Sequence, residues 1–254
     1  MVTGASSGIG KALATQLAAG GANLVLTARR FEQLEQLGAA LRTQHGISAE
    51  VCRADLAKPD APQEIFDFCR QKGIPADILI NNAGFGAYGE VHGADLRRLL
   101  DMVQVNCGAV VALTRLFLPA MVERRRGYVL IVASTAAFQA VPYITTYAAT
   151  KGFDLLFAEG LAEEMRSYGV RVCCLCPGPT ESEFREVAGQ PQRVWRLQET
   201  AEKVACVGLE ALASGKSYVV SGATNYLGAH ARRFLPRGLV TRIAGGLFRP
   251  DKAR

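Results

Sequence analysis

Apolar residues along this chain gather in short, nearly continuous runs, and longer stretches with helical spacing lie between them. The runs NLVLTA (23–28), AEVCRA (49–54), DILINNA (77–83), YVLIVAS (128–134), VRVCCLC (170–176) and SYVVSG (217–222) predict six strands. None alternates cleanly between apolar and polar, as expected of strands covered by helices on both faces. Between them, KALATQLAAGG sets Leu13 and Leu17 on one helical face and stops at Gly20 and Gly21. Further helices are expected near 31–44, 62–72, 94–125, 145–168 and 199–213, with a looser segment at 177–198. This alternation, unbroken by repeats or low-complexity linkers, predicts an α/β fold: a doubly wound parallel sheet in one domain, 1–254. The first strand is the exception. A glycine-rich turn, TGASSGIG (3–10), opens the first helix, and only Met1 and Val2 stand where the strand feeding it belongs.

Composition narrows the class. With 254 residues, 49% hydrophobic and 20% charged, the chain can bury a large core and resembles soluble globular proteins. Seven cysteines, at 52, 69, 107, 173, 174, 176 and 206, lack the spacing of a disulfide framework and suit a reducing compartment, so a cytoplasmic location is expected. Along a strand Cys173 faces one way and Cys174 and Cys176 the other, and His45, His92 and His230 stand apart, so no metal site is expected. The net charge of +6 resides in the tail, because residues 230–254 carry seven Lys/Arg against Asp251 alone. A neutral body argues against a general polyanion-binding surface, and no nucleic-acid partner is expected. The opening residues lack the charged and apolar regions of a secretory signal. The stretch at 102–122 nearly has the length of a membrane span, but Asn106, Arg115 and Pro119 make insertion costly and predict a buried or interface helix.

In doubly wound sheets ligands bind beyond the carboxyl ends of the strands, so candidate chemistry is sought there. In the glycine turn, Gly4, Gly8 and Gly10 let backbone approach a diphosphate, and the turn with Ser6, Ser7 and Ile9 opens a helix whose amides face the anion. The second strand ends in Ala28-Arg29-Arg30 without the carboxylate that would grip an adenosine ribose. Two guanidiniums there favour a 2′-phosphate, hence NADP(H) over NAD(H); the alternative is a solvated arginine pair. Ser134 ends another strand, and Tyr147 and Lys151 lie four apart on one helical face. An ammonium about 4 Å from a phenol, at an effective dielectric near 20, would lower the phenol's pKa by about 2–3 units and make it a usable acid/base.

With TGASSGIG, Asp55-Leu56, NNAG (81–84), Asn106, Ser134, YAATK (147–151) and PGPT (177–180) in order, the whole chain resembles the short-chain dehydrogenase/reductase family, more narrowly its bacterial DltE-type, ketoacyl-reductase-like branch. The resemblance implies a Rossmann-like seven-stranded sheet and hydride transfer between nicotinamide and a carbonyl or alcohol. It also implies roles. Tyr147 would protonate the carbonyl oxygen, Lys151 would lower its pKa and hold the nicotinamide ribose, Ser134 would hydrogen-bond the reacting oxygen, and Asn106 would position a relay water. Asp55 and Leu56 would meet adenine, Asn82, Ala83 and Gly84 would line the cofactor, and Pro177, Gly178 and Thr180 would flank the nicotinamide carboxamide. The family has an apolar strand of several residues before the glycine turn; its absence here leads us to expect a start upstream of Met1, the alternative being a shortened protein.

Phe85, Tyr88, Phe138, Tyr143, Phe184 and Trp195 are expected to surround an apolar substrate pocket, without naming the carbonyl or alcohol it takes. Residues 223–254 form a basic amphipathic extension. It permits weak membrane-surface contact or docking of an acidic carrier or partner subunit, or it packs on its own body with arginines in water. The resemblance implies a homo-oligomer, dimer or tetramer, built on the helices near 94–125 and 145–168. Two rival functions are a non-catalytic NADP(H)-binding sensor or scaffold and a peripheral membrane or polyanion-binding protein acting through the tail.

Overall fold

In a computed structural model describing residues 1–190 and 198–250, the six predicted strands and a seventh, Val2–Thr3, form one sheet. In chain order the strands are β1 (Val2–Thr3), β2 (Leu24–Ala28), β3 (Ala49–Arg53), β4 (Ile78–Asn81), β5 (Gly127–Val132), β6 (Val170–Cys176) and β7 (Tyr218–Val220). All pairings are parallel, in the order β3-β2-β1-β4-β5-β6-β7. The two residues of β1 therefore occupy a central position. Val2 pairs with Leu26 on one side and Ile80 on the other. The Met1 nitrogen donates to the Ile78 carbonyl at 2.7 Å, and Ile80 N donates back to Met1 O at 2.9 Å.

Helices α1 (Gly8–Ala19), α2 (Phe31–His45) and α8 (Ala201–Ala213) cover one face, and α3 (Ala61–Gln71), α5 (Ala109–Glu123) and α6 (Thr145–Met165) cover the other. Each inner strand divides its side chains between the two cores. Leu130 and Val132 pack toward α1, α2 and α8, whereas Val129 and Ile131 pack toward α3, α5 and α6. This two-sided burial explains the continuous apolar runs. Cys173 faces the first core and Cys174 and Cys176 the second, all free thiols, and the described residues contain no metal-binding cluster.

The expected helix at 94–125 is a continuous helical run with an irregularity. It comprises α4 (Leu96–Val103), one π turn (Gln104–Gly108) and α5. Leu96–Glu123 is long and apolar enough to cross a membrane by length and composition, yet half of its most apolar window is buried in the fold. The looser segment contains the short α7 (Phe184–Ala188). Two elements not anticipated from patterning close the chain, α9 (Ala223–Ala231) and α10 (Arg237–Phe248), joined by a 3-10 turn at Arg232–Phe234. Ala229 and Ala244 are buried, so the extension packs on the body.

Candidate active site

The carboxyl ends of β1 and β4 lie side by side where strand order reverses, and there a cleft of about 680 Å³ opens. Thr3, buried at the end of β1, ties the two ends together. Its hydroxyl donates to Ile80 O at 3.2 Å and accepts from the Asn82 and Ala83 amides, each at 2.9 Å. The Asn82 side chain returns the contact, donating to the Thr3 and Gly4 carbonyls at 2.9 and 3.3 Å. Gly4 has φ +64°, and a Cβ there would stand 2.8 Å from Asn82 Nδ2 and 2.9 Å from Ala83 Cα. At Gly10 an added Cβ would run into the Gly4 carbonyl and the same amide nitrogen. The turn is thus a close-packed backbone cradle, with Ser6, Ser7, Gly8 and Ile9 on the cleft wall where α1 begins. This shape fits a diphosphate.

At the adenosine end Arg29 and Arg30 line the cleft with Asp55 and Leu56. Leu56 is buried, and the Asp55 carboxylate accepts from Ala57 N at 3.2 Å. Arg30 is already engaged: it donates to Ser6 Oγ at 3.1 Å and Ser7 Oγ at 2.7 Å and pairs with Glu183 at 2.7 Å. Glu183 comes from the segment after PGPT, and neighbouring Ser182 sits against Gly8. A carboxylate therefore holds the guanidinium expected to meet a phosphate.

At the reacting end, one turn of α6 separates Tyr147 from Lys151, whose ammonium lies 6.0 Å from the phenol ring centre. Ser134, just beyond β5, lines the cleft with the phenol and its side chain accepts from Ala136 N at 3.1 Å. Lys151 Nζ donates to Val132 O at 2.7 Å and Asp154 Oδ2 at 2.9 Å, leaving one proton for a ligand. Gly84 keeps the opposite lip close, because a Cβ there would stand 3.1 Å from Asn106 Oδ1 and 3.4 Å from Lys151 Nζ. Asn106, fully buried in the π turn, donates to Phe85 O (3.1 Å) and Thr150 Oγ1 (3.0 Å) and accepts from Phe85 N (3.1 Å). Its amide braces the NNAG segment against α6.

The expected lowering of the Tyr147 pKa is not the net result. Burial pushes the phenol above its ordinary value, outweighing the downward pull of Lys151 and Ser134, and Asp154 adds to the rise. Burial alone would lower Lys151, but Asp154 and then Tyr147 outweigh it, and the ammonium is held above its usual value. For Asp154 burial raises the carboxyl against the pull of Lys151. Spacing alone had assigned the lysine's whole charge to the tyrosine; in the fold Asp154 takes a share.

The remaining wall is formed by Pro177, Gly178 and Thr180, with Thr180 Oγ1 donating to Gly178 O at 3.0 Å. Of the aromatic residues expected at the pocket, Phe85 and Phe184 line it. Phe138 is instead buried against Tyr218 and His230. Tyr88 turns to the tail, its hydroxyl donating to Phe248 O at 2.6 Å. Tyr143 is off the cleft, at φ +67°, a strained setting for a tyrosine, with its carbonyl accepting from Gly89 N. Trp195 lies outside the described residues. In its place Phe248, at the end of α10, joins the lining. Reasoning from sequence missed Thr3, Asp154, Glu183 and Phe248. Only Asp154 carried a readable signal, an acid three residues after Lys151 on the face that faces the core.

Residues 1–193 match the family model described as short chain dehydrogenase. The chain is 36% identical over 183 residues to a very-long-chain 3-oxoacyl-CoA reductase of Anas platyrhynchos, covering 70% of this chain but 58% of that protein. It therefore spans little more than half of that relative's length. An uncharacterized oxidoreductase of Myxococcus xanthus is 33% identical over 82% of this chain and 81% of its own. Among solved structures, a short-chain dehydrogenase from Sphingobium yanoikuyae in complex with NADPH superposes with a TM-score of 0.82 at 27% identity, covering 100% of this chain and 96% of that one.

Proposed function

The chain belongs to the short-chain dehydrogenase/reductase family, and on that premise we propose that it is an NADP(H)-dependent oxidoreductase acting on a carbonyl/alcohol pair. The observation that carries this reading is convergence: the Tyr147 phenol, Ser134 and Lys151 share one cleft with the glycine cradle and the arginine pair. The cradle amides would hold the diphosphate, Arg29 and Arg30 the 2′-phosphate, and the free Lys151 proton the nicotinamide ribose. Bound nicotinamide would supply or accept the hydride. Ser134 would orient the substrate oxygen, and Tyr147, its pKa raised by burial, would keep its proton through the neutral range and give it to the carbonyl oxygen. A protonated phenol is the form that carbonyl reduction requires.

The match to 3-oxoacyl-CoA reductases makes 3-oxoacyl thioesters the first carbonyls to test, beside apolar ketones and aldehydes. NADPH consumption is to be followed against such a panel with Tyr147→Phe as the paired variant, which should lose about 10²–10⁴-fold in kcat. Turnover unchanged by that substitution would remove the mechanism. Two finer features complete the reading. Leu96, Leu100 and Val103 of α4, Val111 of α5 and Phe153 and Leu156 of α6 are exposed apolar residues, a face suited to a homodimer contact. Light scattering of Leu156→Glu would then report half the wild-type mass, and an equal mass would end that assignment. The free cysteines suit the reducing cytoplasm.

A further inference from the structure

The C-terminal layer has two faces. On the inner side Ala244 is buried among Met102, Val141, Ile144 and Tyr147, and Phe248 packs against the same group and lines the cleft. Tyr88 holds the end of α10 by the 2.6 Å bond to Phe248 O, and Gly245 lies against Pro142. On the outer side Leu239, Ile243 and Leu247 recur every four residues and are exposed, and Phe234, in the turn before them, is 88% exposed. Tyr226 and Leu227 of α9 are exposed as well, beside Lys216 and the β7 edge. Charge follows the same layer: between Ala211 and Pro250 there is no Asp or Glu, but Lys216, Arg232, Arg233, Arg237, Arg242 and Arg249 are all present. Arg233, Arg237 and Arg242 form no salt bridge among the described residues. An exposed apolar stripe edged by cations alone is the pattern of a helix lying in an anionic lipid interface.

We propose that α9, the 3-10 turn and α10 dock on an anionic phospholipid bilayer, with α10 serving at once as membrane contact and as lid of the active-site cleft. The occupant is chosen by charge. A second copy meeting this face across a two-fold axis would set one arginine-edged, acid-free stripe against an identical one with no carboxylate to neutralise either, whereas the α4–α6 face carries charges of both signs, such as Arg97, Asp101 and Glu159. Docking would bring the cleft within one helix diameter, about 10 Å, of the lipid. The substrate class follows, on the reading that the cleft is a reductase site: a lipophilic carbonyl compound that partitions into the bilayer and enters beneath α10 past Phe248.

The test uses the full chain and vesicles of phosphatidylcholine alone or with phosphatidylglycerol in equal parts. The protein should co-sediment with the mixed vesicles, not with the neutral ones, and be released as salt rises. Arg233→Gln with Arg237→Gln should weaken this binding by about fivefold per arginine. Leu239→Asp with Ile243→Asp should abolish it while melting temperature and turnover of a water-soluble carbonyl stay at wild-type values. Failure to bind mixed vesicles, equal binding to neutral ones, or wild-type binding by either double variant would overturn the proposal. So would a fall in solution mass of the aspartate variant, which would assign the face to a second copy. Vesicle binding by a protein inactive toward every carbonyl would leave the docking intact and refute the reductase reading instead.

Discussion

Asp154 is 1% exposed, and one of its oxygens takes the Lys151 ammonium at 2.9 Å while the other has no hydrogen-bond partner. Replacing it by asparagine keeps the shape and an accepting oxygen and removes one negative charge. The groups that feel this are Tyr147 and Lys151 on α6, Cys107 in the π turn and Cys174 on β6. The ammonium stands 6.0 Å from the Tyr147 ring centre. The carboxylate oxygen, 2.9 Å farther at most, is thus within about 9 Å of that centre, where a unit charge at an effective dielectric near 20 acts with about 2 kcal/mol. That corresponds to about one pKa unit. The sign is fixed: a carboxylate disfavours phenolate, so Asp154→Asn should let Tyr147 ionise at lower pH. In NADP⁺-linked alcohol oxidation the acid limb of kcat/KM should move down by about one unit, and the alkaline limb of carbonyl reduction should move with it. Losing one partner of a buried pair should also lower stability, by about 3 kcal/mol or somewhat less because asparagine still accepts a bond. A variant that melts several degrees lower but has a pH profile superimposable on wild type would refute the electrostatic argument and leave Asp154 a packing residue.

The other predictions concern the cofactor end. Gly10→Ala forces a methyl group against the Gly4 carbonyl and Asn82, so it should destabilise the fold by about 1–3 kcal/mol and weaken NADPH binding at least tenfold by fluorescence titration; wild-type affinity would mean that the cradle is not the diphosphate site. Arg30→Ala should reduce the preference for NADPH over NADH, measured as the ratio of dissociation constants, by roughly tenfold or more, whereas binding of NADH itself should change little. Because the Arg30–Glu183 pair is 40% and 50% exposed, it is worth at most about 1 kcal/mol, so Glu183→Gln should tighten NADPH by no more than about fivefold. Weaker binding in that variant would show that Glu183 supports the arginine rather than competing for it.

Most of the sheet was legible because burial on both faces leaves a pattern in apolar residues: Leu130 and Val132 against Val129 and Ile131 is read as directly in the sequence as in the fold. The turn was legible through glycine, whose missing side chain has few other uses at that density. β1 was not, since two residues carry no periodicity; its placement comes from Val2 pairing on both sides and from the Thr3 hydroxyl joining β4. The tail was read as basic and amphipathic, but nothing local announced that Phe248 would reach a cleft whose lining begins at Gly4, at the other end of the sequence.

The tyrosine marks where pattern reading stops and physical chemistry takes over. Four-residue spacing places Lys151 below Tyr147 with certainty of geometry, yet the proton affinity of the phenol depends on what surrounds both groups. Burial raises it, and Asp154 diverts part of the ammonium's field. A site built this way holds its acid protonated at neutral pH and is suited to delivering a proton to a carbonyl oxygen. To oxidise an alcohol near neutrality, with hydride passing to nicotinamide, it needs a further source of positive potential within reach of the phenol. The oxidised nicotinamide ring is cationic, and the reduced ring is not. On this argument a bound oxidised ring would act with Lys151 to lower the phenol's proton affinity, opposing the rise that burial causes.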